Sequence, residues 1–261
     1  MSDRFDAGTI SSAIAASDGP AVCAYLTAGY PNQEAFSGVL RSVAAAADVV
    51  EVGVPFTDPM ADGLTIQRAS HQALEGGVTL RWILETLESM KGEIDTPILL
   101  MGYYNPFLAH GLDILGASLD AAGVSGVIVP DLPLEESGPV LDALAATGQA
   151  VVQLVTPSTP TDRLERLAGA SSGFLYAVTV KGVTGGQASL DDDDLAYLRR
   201  AREISEIPVL AGFGIRNSSD VARLAPHVDG VVVGSALIEA IDNGEDPGVF
   251  VDSLRPAEVL S

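Results

Sequence analysis

Short runs rich in β-branched residues recur along this chain and alternate with Ala/Leu-rich segments of helical spacing. This alternation is typical of βα units, whose consecutive strands pair in parallel. Eight such runs are present, and eight strands are what a closed barrel needs. We therefore expect an α/β fold, a single (β/α)8 TIM barrel, with strands at residues 21–26, 49–54, 97–102, 126–130, 150–155, 174–179, 209–212 and 230–234.

The segments between these runs supply the expected helices, at residues 80–90, 115–122, 139–147, 161–168, 195–204 and 218–225. An amphipathic stretch at 9–16 predicts an additional N-terminal helix. Since no linker interrupts the series and about 250 residues is a typical barrel length, we expect one domain over residues 1–261. A doubly wound open sheet is the alternative, but Gly-x-Gly-x-x-Gly is absent after the first run and the phosphate-type glycines come late.

The chain is strongly acidic, with a formal net charge of −21. This charge argues against nucleic acid and anionic membrane surfaces as partners, but it does not exclude a phosphorylated substrate. Lys91 and Lys181 are the only lysines. We therefore expect backbone N–H groups at helix starts to hold a phosphate. The acidic run at 191–194 is interpreted as a solvated helix start, where carboxylates suit the helix dipole.

The remaining composition narrows the class of protein. The single cysteine, Cys23, excludes an internal disulfide and is expected to be a small buried hydrophobe. His71, His110 and His227 are scattered without metal-ligand spacing, so we expect no metal site. No run reaches the roughly 18 apolar residues of a membrane span, and the N-terminus lacks the basic start of a signal peptide. These features predict a cytoplasmic protein.

One carboxylate stands inside a β-branched run, at Glu51 in the stretch Val-Val-Glu-Val-Gly-Val. A strand buried on both faces makes an ionised carboxylate costly, so we expect Glu51 to have a raised pKa or a dedicated partner. Asp62 follows in a segment broken by Pro55, Pro59 and Gly63, which indicates a loop at the carboxyl end of that strand. The two carboxylates are therefore expected to converge on one ligand.

Structural roles are the alternative for these carboxylates. Asp58 or Asp62 could cap a turn or the helix expected from Thr65, and Glu51 could be a paired acid of the core. A cap accepts hydrogen bonds from the first N–H groups of a helix, whereas a paired core acid has a cationic or hydrogen-bonding partner. These contacts distinguish the alternatives.

Two glycine-rich loops come late in the series, where barrels commonly bind phosphate. Ala-Gly-Phe-Gly-Ile at 211–215 follows the seventh run, and the stretch at 230–236 ends the eighth run and opens a helix. Glycine lets a phosphate approach the backbone, and Ser235 offers a hydroxyl and an N–H at the helix start. A third loop, at 180–187, either closes over bound substrate or is a mobile surface loop.

Several stretches resemble, in the same order, the signatures of the tryptophan synthase α subunit family over nearly the whole chain. They are Leu-Thr-Ala-Gly-Tyr-Pro at 26–31, Glu-Val-Gly-Val-Pro-Phe-Thr-Asp-Pro-Met-Ala-Asp-Gly-x-Thr-Ile-Gln at 51–67, Pro-Asp-Leu-Pro at 130–133, Gly-Val-Thr-Gly at 182–185, Gly-Phe-Gly-Ile at 212–215 and Gly-Ser-Ala at 234–236. The resemblance implies the barrel fold and a lyase reaction, the retro-aldol cleavage of indole-3-glycerol phosphate to indole and glyceraldehyde 3-phosphate. It implies no cofactor in this subunit, and a β subunit partner with pyridoxal phosphate that uses the indole for tryptophan synthesis in an α2β2 heterotetramer.

The resemblance places the family's catalytic pair on Glu51 and Asp62. Glu51 suits the proton transfers because burial raises its pKa toward working pH, and Asp62, on a wetter loop, stays ionised to accept the indole N–H. Substrate contacts are implied at Tyr25, Met101, Tyr103, Tyr176, Thr184, Gly185, Phe213, Gly214, Gly234 and Ser235. A partner interface is implied at Asp58, Pro59, Asn105 and Pro133.

The chain departs from the family's pattern at Lys181, where many relatives carry a small or hydroxyl residue, and at Tyr25, where some relatives have phenylalanine. Two alternatives to a synthase subunit are a stand-alone indole-3-glycerol phosphate lyase that releases free indole and a non-catalytic subunit that only activates its partner. The presence of both Glu51 and Asp62 argues against the second alternative.

Overall fold

A computed structural model describes residues 7–179, 191–212 and 214–256. Its strands close into a barrel in the order β1 to β8, and β1 pairs in parallel with β8 to complete the ring. The strands are β1 Ala21–Thr27, β2 Val49–Gly53, β3 Ile98–Met101, β4 Val124–Ile128, β5 Ala150–Val155, β6 Leu175–Val178, β7 Val209–Gly212 and β8 Gly230–Val233. The closed ring confirms the predicted (β/α)8 barrel, and the open sheet is wrong.

The barrel strands are apolar on both faces, as a parallel sheet covered on both sides requires. Alternate side chains point to opposite faces. Cys23 and Val49 belong to the cluster inside the barrel, whereas Val22 and Val50 belong to the cluster between the barrel and its helices. All four residues are fully buried. Cys23 is thus a small buried hydrophobe, as its apolar neighbours in the sequence predict.

Helices follow the strands around the ring, and the predicted ones are confirmed with ends that shift by a few residues. They are α1 Ala7–Ala15, α2 Gln33–Ala46, α3 Leu64–Glu75, α4 Leu80–Ser89, α5 Tyr104–His110, α6 Leu112–Ala121, α7 Gly138–Ala145, α8 Thr161–Ala170, α9 Asp192–Ile204, α10 Ser218–Leu224, α11 Ser235–Asp242 and α12 Pro247–Ser253, with a 3-10 turn η1 at Leu134–Glu136. Helices α2, α5 and α12 were not predicted from the sequence. The Asn32 side chain caps α2 by accepting a hydrogen bond from the Ala35 N–H, a start signal that the sequence does contain.

The additional N-terminal helix is confirmed, and α1 packs beneath the barrel against β1, β2 and β4. Ile10 and Ile14 from α1 are buried and belong to the cluster inside the barrel. Ser11 Oγ donates a hydrogen bond to the Gly173 carbonyl oxygen at 2.7 Å, just before β6. The helix therefore covers the amino-terminal end of the barrel with apolar side chains.

Strand β4 begins earlier than predicted, at Val124 rather than at Gly126. Gly126 lies inside the strand, where an added Cβ would come within 2.6 Å of the Ala150 carbonyl oxygen and within 2.9 Å of Leu99 Cδ2. Neighbouring strands are too close at this point for any side chain. Glycine here indicates close backbone approach, not a strand boundary.

The acidic run at 191–194 starts α9, but only part of it is solvated. Asp191 is the N-cap, and its side chain accepts a hydrogen bond from the Asp194 N–H at 2.9 Å. Asp194 in turn accepts one from the Asp191 N–H at 3.1 Å, which completes a capping box. Asp191, Asp192 and Asp193 are exposed, as predicted. The prediction is wrong for Asp194, which is 5% exposed.

No helix among the described residues is long and apolar enough to cross a membrane. Within the same ranges, no group of three or more histidine, cysteine, aspartate or glutamate side chains could hold a metal ion.

Candidate active site

Glu51 lies in the middle of β2, in register with Tyr25 of β1 and Leu99 of β3. The residue is fully buried, and neither carboxylate oxygen has a hydrogen-bond partner among the described residues. Burial, and secondly the charge of Asp62, raise the pKa of Glu51 to about 8. A paired core acid would have a partner, so that alternative is wrong within the described part of the chain. Glu51 is protonated at neutral pH and can both give and take a proton.

Asp62 lies on the loop between β2 and α3, where it is partly buried. The Tyr103 hydroxyl donates to Asp62 Oδ2 at 3.5 Å and accepts a hydrogen bond from the Ala61 N–H at 2.8 Å. Burial raises the pKa of Asp62 to about 6, and the hydrogen bond from Tyr103 opposes that shift. Asp62 is therefore less wet than the sequence predicts, but it remains ionised at neutral pH.

Neither aspartate of this loop caps α3. The N-cap is Gly63, and no side chain in the described part of the chain makes a capping hydrogen bond there. The Asp58 carboxylate instead accepts a hydrogen bond from the Thr57 hydroxyl at 2.7 Å. The capping alternative for α3 is wrong, which leaves Asp62 available to a ligand.

Both carboxylates face one cavity of about 640 Å³ at the carboxyl ends of the strands, a volume that includes its open mouth. Six of the predicted substrate-binding residues line this cavity with them: Tyr25, Met101, Tyr176, Gly214, Gly234 and Ser235. A seventh, Tyr103, contacts Asp62 directly. The remaining three, Phe213, Thr184 and Gly185, lie outside the described residues, as do Lys181 and the whole glycine-rich loop at 180–187.

Two tyrosines form a wall of the cavity, and glycines on the neighbouring strands make room for them. A Cβ added at Gly53 would lie 2.1 Å from the Tyr25 hydroxyl, and one added at Gly212 would lie 2.3 Å from the Tyr176 hydroxyl. Burial raises the pKa of both phenols well above their ordinary range. Both tyrosines therefore stay neutral, and their rings offer an apolar surface next to Glu51.

Another part of the cavity lining is built from backbone. Gly214 has φ +80°, a left-handed conformation that favours glycine, and no atom of the described residues lies within 4 Å of an added Cβ. Gly234 immediately precedes α11, and an added Cβ there would lie 3.4 Å from Tyr25 and from Ile66. Ser235 is the first residue of α11. The α11 N-terminus therefore meets the cavity through Gly234 and Ser235, an arrangement that suits an anion.

Six further residues of the lining were not predicted from the sequence: Gly63, Ile66, Ile215, Arg216, Val232 and Ala236. Four of them, Gly63, Ile66, Ile215 and Ala236, stand inside the quoted motifs, so their position alone would have suggested them. Arg216 carried a stronger signal, because it is a cation directly after the late glycine loop of a chain that has only 14 lysines and arginines.

The residues of the predicted partner interface lie on the segments that follow β2, β3 and β4. Asp58, Asn105 and Pro133 are exposed, whereas Pro59 is buried within the chain. The apolar surface of the Asp62 loop is instead carried by Met60, which is 89% exposed, with Leu64 at 77% beside it on α3. An exposed methionine next to a candidate catalytic loop is typical of a protein-binding surface.

Comparison with known proteins relates this geometry to one family. The family model described as tryptophan synthase alpha chain matches residues 12–255. The tryptophan synthase alpha chain of Nitratidesulfovibrio vulgaris is 42% identical over 233 residues, which cover 89% of this chain and 91% of that protein. The tryptophan synthase alpha chain of Picosynechococcus is also 42% identical, over 86% of each chain.

Solved structures agree with the sequence comparison. A chain of Mycobacterium tuberculosis tryptophan synthase is similar with a TM-score of 0.85 and 35% identity, covering 95% of this chain and 96% of that one. A chain from Pyrococcus furiosus, whose structure is described as the basis of mutual activation of the tryptophan synthase α2β2 complex, has a TM-score of 0.84 and 34% identity. The match covers 90% of this chain and 98% of that one.

Proposed function

The chain belongs to the tryptophan synthase alpha chain family, and on that premise we propose that its cavity cleaves indole-3-glycerol phosphate to indole and glyceraldehyde 3-phosphate, with Glu51 and Asp62 as the catalytic residues. One observation carries the assignment. A protonated Glu51, with a pKa of about 8, and an ionised Asp62, with a pKa of about 6, face the same cavity at neutral pH. The reaction needs one group of each kind.

Glu51 moves the protons of this reaction. It donates its proton to indole C3 and, now a carboxylate, accepts the proton of the glycerol hydroxyl beside the bond that breaks. The electron pair of that C–C bond returns to the indole ring, and the hydroxyl carbon becomes the aldehyde of glyceraldehyde 3-phosphate. Glu51 ends protonated as it began, so the step consumes neither water nor a cofactor.

Asp62 stabilises the charge that forms between these proton transfers. Protonation of C3 spreads positive charge to the indole nitrogen, and a nearby carboxylate that accepts the N–H lowers the energy of that state. The Tyr103 hydroxyl holds Asp62 in place through its 3.5 Å hydrogen bond. We place Thr184 beside Asp62 as a further contact, on the family resemblance alone.

The substrate lies across the cavity with its ring and its phosphate at opposite ends. Tyr25, Met101 and Tyr103 surround the indole, and the family resemblance adds Phe213. The phosphate lies at the backbone of Gly214 and Gly234 and at the Ser235 hydroxyl, with Tyr176 nearby, and the family resemblance adds Gly185. The left-handed Gly214 and the start of α11 support this orientation of the substrate, because oriented N–H groups can hold a phosphate dianion without lysine.

The chain works as the α subunit with a tryptophan synthase β subunit, and we propose an α2β2 heterotetramer like the Pyrococcus furiosus complex. The β subunit carries pyridoxal phosphate and consumes the indole for tryptophan synthesis, whereas the α reaction derived above uses no cofactor. A biosynthetic pair of this kind works in the cytoplasm. Asp58, Asn105 and Pro133 support docking at the cavity mouth because they are exposed there, and Met60 adds apolar area.

The test is indole release from indole-3-glycerol phosphate by the purified chain, measured with and without a cognate β subunit. We expect weak activity alone and a clear increase with the β subunit. Rapid release of free indole by the isolated chain would favour the stand-alone lyase. An absence of indole under both conditions, with activation of the β subunit retained, would establish the non-catalytic alternative.

A further inference from the structure

Arg216 is the one residue with a cationic side chain among the described residues that line the cavity. It follows Gly214 and Ile215 on the loop after β7, beside the backbone where the proposed function places the phosphate. The sequence predicts that the phosphate is held by backbone N–H groups and the Ser235 hydroxyl, without a cationic side chain. A guanidinium at this position changes the recognition chemistry, since arginine pairs bidentately with phosphate oxygens.

The main chain of Arg216 is fixed while its side chain is solvated. The Arg216 N–H donates to Asp220 Oδ2 at 2.9 Å, and the neighbouring Ile215 is 5% exposed. The Arg216 side chain itself is 58% exposed. A rigid attachment point with a solvated side chain lets the guanidinium change partners without disturbing the loop.

Glu239 is the present partner of that guanidinium. Arg216 donates to Glu239 Oε2 at 2.5 Å, and the Glu239 side chain is 37% exposed. Glu239 lies on α11, one turn after Ser235, so the carboxylate stands beside the helix end that faces the cavity. Its other oxygen, Oε1, accepts a hydrogen bond from the Thr65 hydroxyl at 3.4 Å. Exposed ion pairs of this kind are weak, because water competes for both charges.

We propose that Arg216 is a specificity-determining residue for the phosphate of the substrate, and that Glu239 holds its guanidinium until the phosphate displaces it. A dianion offers twice the charge of the carboxylate and already lies against the α11 N-terminus, so the exchange favours the phosphate. The chain carries a net charge of −21, and a local cation offsets the repulsion of an anionic substrate. This inference rests on the proposed function, since it requires a phosphorylated substrate.

Opposite effects of two substitutions test the exchange. Arg216→Gln should weaken binding of glycerol 3-phosphate by about tenfold to a hundredfold, because a charge-assisted pair is lost. Glu239→Gln should tighten it by about twofold to fivefold, because the competing carboxylate is removed. The double variant should bind like Arg216→Gln, since Glu239 acts only through Arg216. Isothermal titration calorimetry on the full chain measures the affinity of all three variants for glycerol 3-phosphate. Indole, which carries no charge, serves as the neutral probe.

The matched control is Arg41→Gln, which removes the same charge from another exposed pair, Arg41 with Glu93 at 2.6 Å. Arg216→Lys should recover part of the lost affinity, and Arg216→Gln should raise KM more than it lowers kcat. Equal affinities for Arg216→Gln and Arg41→Gln, or weaker binding by Glu239→Gln, would overturn the inference while the proposed function stands. A parent chain that binds no glycerol 3-phosphate would overturn the proposed function, and this inference with it.

Discussion

The charge of Asp62 adds to burial in raising the pKa of Glu51 to about 8, while Asp62 itself has a pKa of about 6. The two acids therefore differ in protonation at neutral pH although they face one cavity. Glu51 is fully buried in the barrel and is no longer hydrated, whereas Asp62 accepts a hydrogen bond from Tyr103. This separation of two pKa values by environment supports the proposal that one acid transfers protons and the other stabilises charge.

Replacement of Glu51 by glutamine tests the proton transfers. Glu51→Gln keeps the shape of the side chain but can neither give nor take a proton, so turnover should fall by roughly 10² to 10⁴. Binding of glycerol 3-phosphate should be unchanged. Single-turnover indole release is the measurement, and a variant within tenfold of the parent would exclude Glu51 as the acid and base.

The pH dependence of kcat/KM should be bell-shaped. Glu51 must be protonated, so activity falls as pH rises through about 8. Asp62 must be ionised, so activity also falls as pH drops through about 6. The substrate phosphate ionises near the acid limb, with a second pKa of about 6, so the alkaline limb is the diagnostic one. A profile that is flat between pH 7 and pH 10 would contradict the Glu51 assignment.

Stability should depend on pH through the same residue. The pKa of Glu51 rises from 4.5 to about 8 on folding, so the folded chain retains a proton that the unfolded chain releases. The Glu51 contribution is therefore fully present below pH 4.5 and is lost as pH rises through 8, by at most about 1.4 kcal/mol per pH unit. Relative to the parent, Glu51→Gln should gain free energy of unfolding as pH rises through this window.

Urea unfolding at several pH values measures that difference, with Glu85→Gln on the exposed face of α4 as the matched surface control. Only the change of this difference with pH is diagnostic. The difference in free energy of unfolding between Glu51→Gln and the parent at a single pH also includes the cost of a buried amide. A parent and a Glu51→Gln variant with parallel pH profiles would show that Glu51 is not held protonated in the folded state.

Substitution of Gly234 tests the location of the phosphate. A Cβ at this position would already touch Tyr25 and Ile66 at 3.4 Å, so the two methyl groups of Gly234→Val must either press on those side chains or enter the cavity. Glycerol 3-phosphate should bind at least tenfold more weakly, a loss of about 1.4 kcal/mol. Circular dichroism checks that the barrel is folded. Unchanged affinity in calorimetry would place the phosphate elsewhere.

Substitution of Met60 tests whether the β subunit docks at the cavity mouth. Its side chain is 89% exposed, and burial of a methionine contributes about 1.5 to 3 kcal/mol. Met60→Ser should therefore raise the β subunit concentration needed for half-maximal stimulation by about tenfold or more. Val249→Ser, at a 67% exposed position on α12, is the control. Equal stimulation curves for both variants would exclude the Asp62 loop as a docking surface.

The barrel and its two acids could be predicted because both depend on local sequence. Parallel strands need apolar residues on both faces, and Glu51 breaks such a run while Asp62 follows in a loop with prolines. The pairing of Arg216 with Glu239 could not be predicted, since it joins two segments whose distance is set by the packing of α11. Exposure was equally hidden, because Pro59 and Met60 are adjacent and only folding buries one and exposes the other.

Helix α1 affects the direction in which indole can leave the cavity. Ile10 and Ile14 pack into the amino-terminal end of the barrel, and the hydrogen bond from Ser11 to the Gly173 carbonyl oxygen holds α1 against the segment before β6. Indole released into the cavity thus has the apolar interior covered by α1 in one direction, and in the other the cavity mouth near the loop that carries the exposed Met60. Whichever protein sits at that mouth becomes the first recipient of the product. The direction in which indole leaves the cavity therefore depends on helix α1 at the amino-terminal end of the barrel as much as on the partner at the cavity mouth.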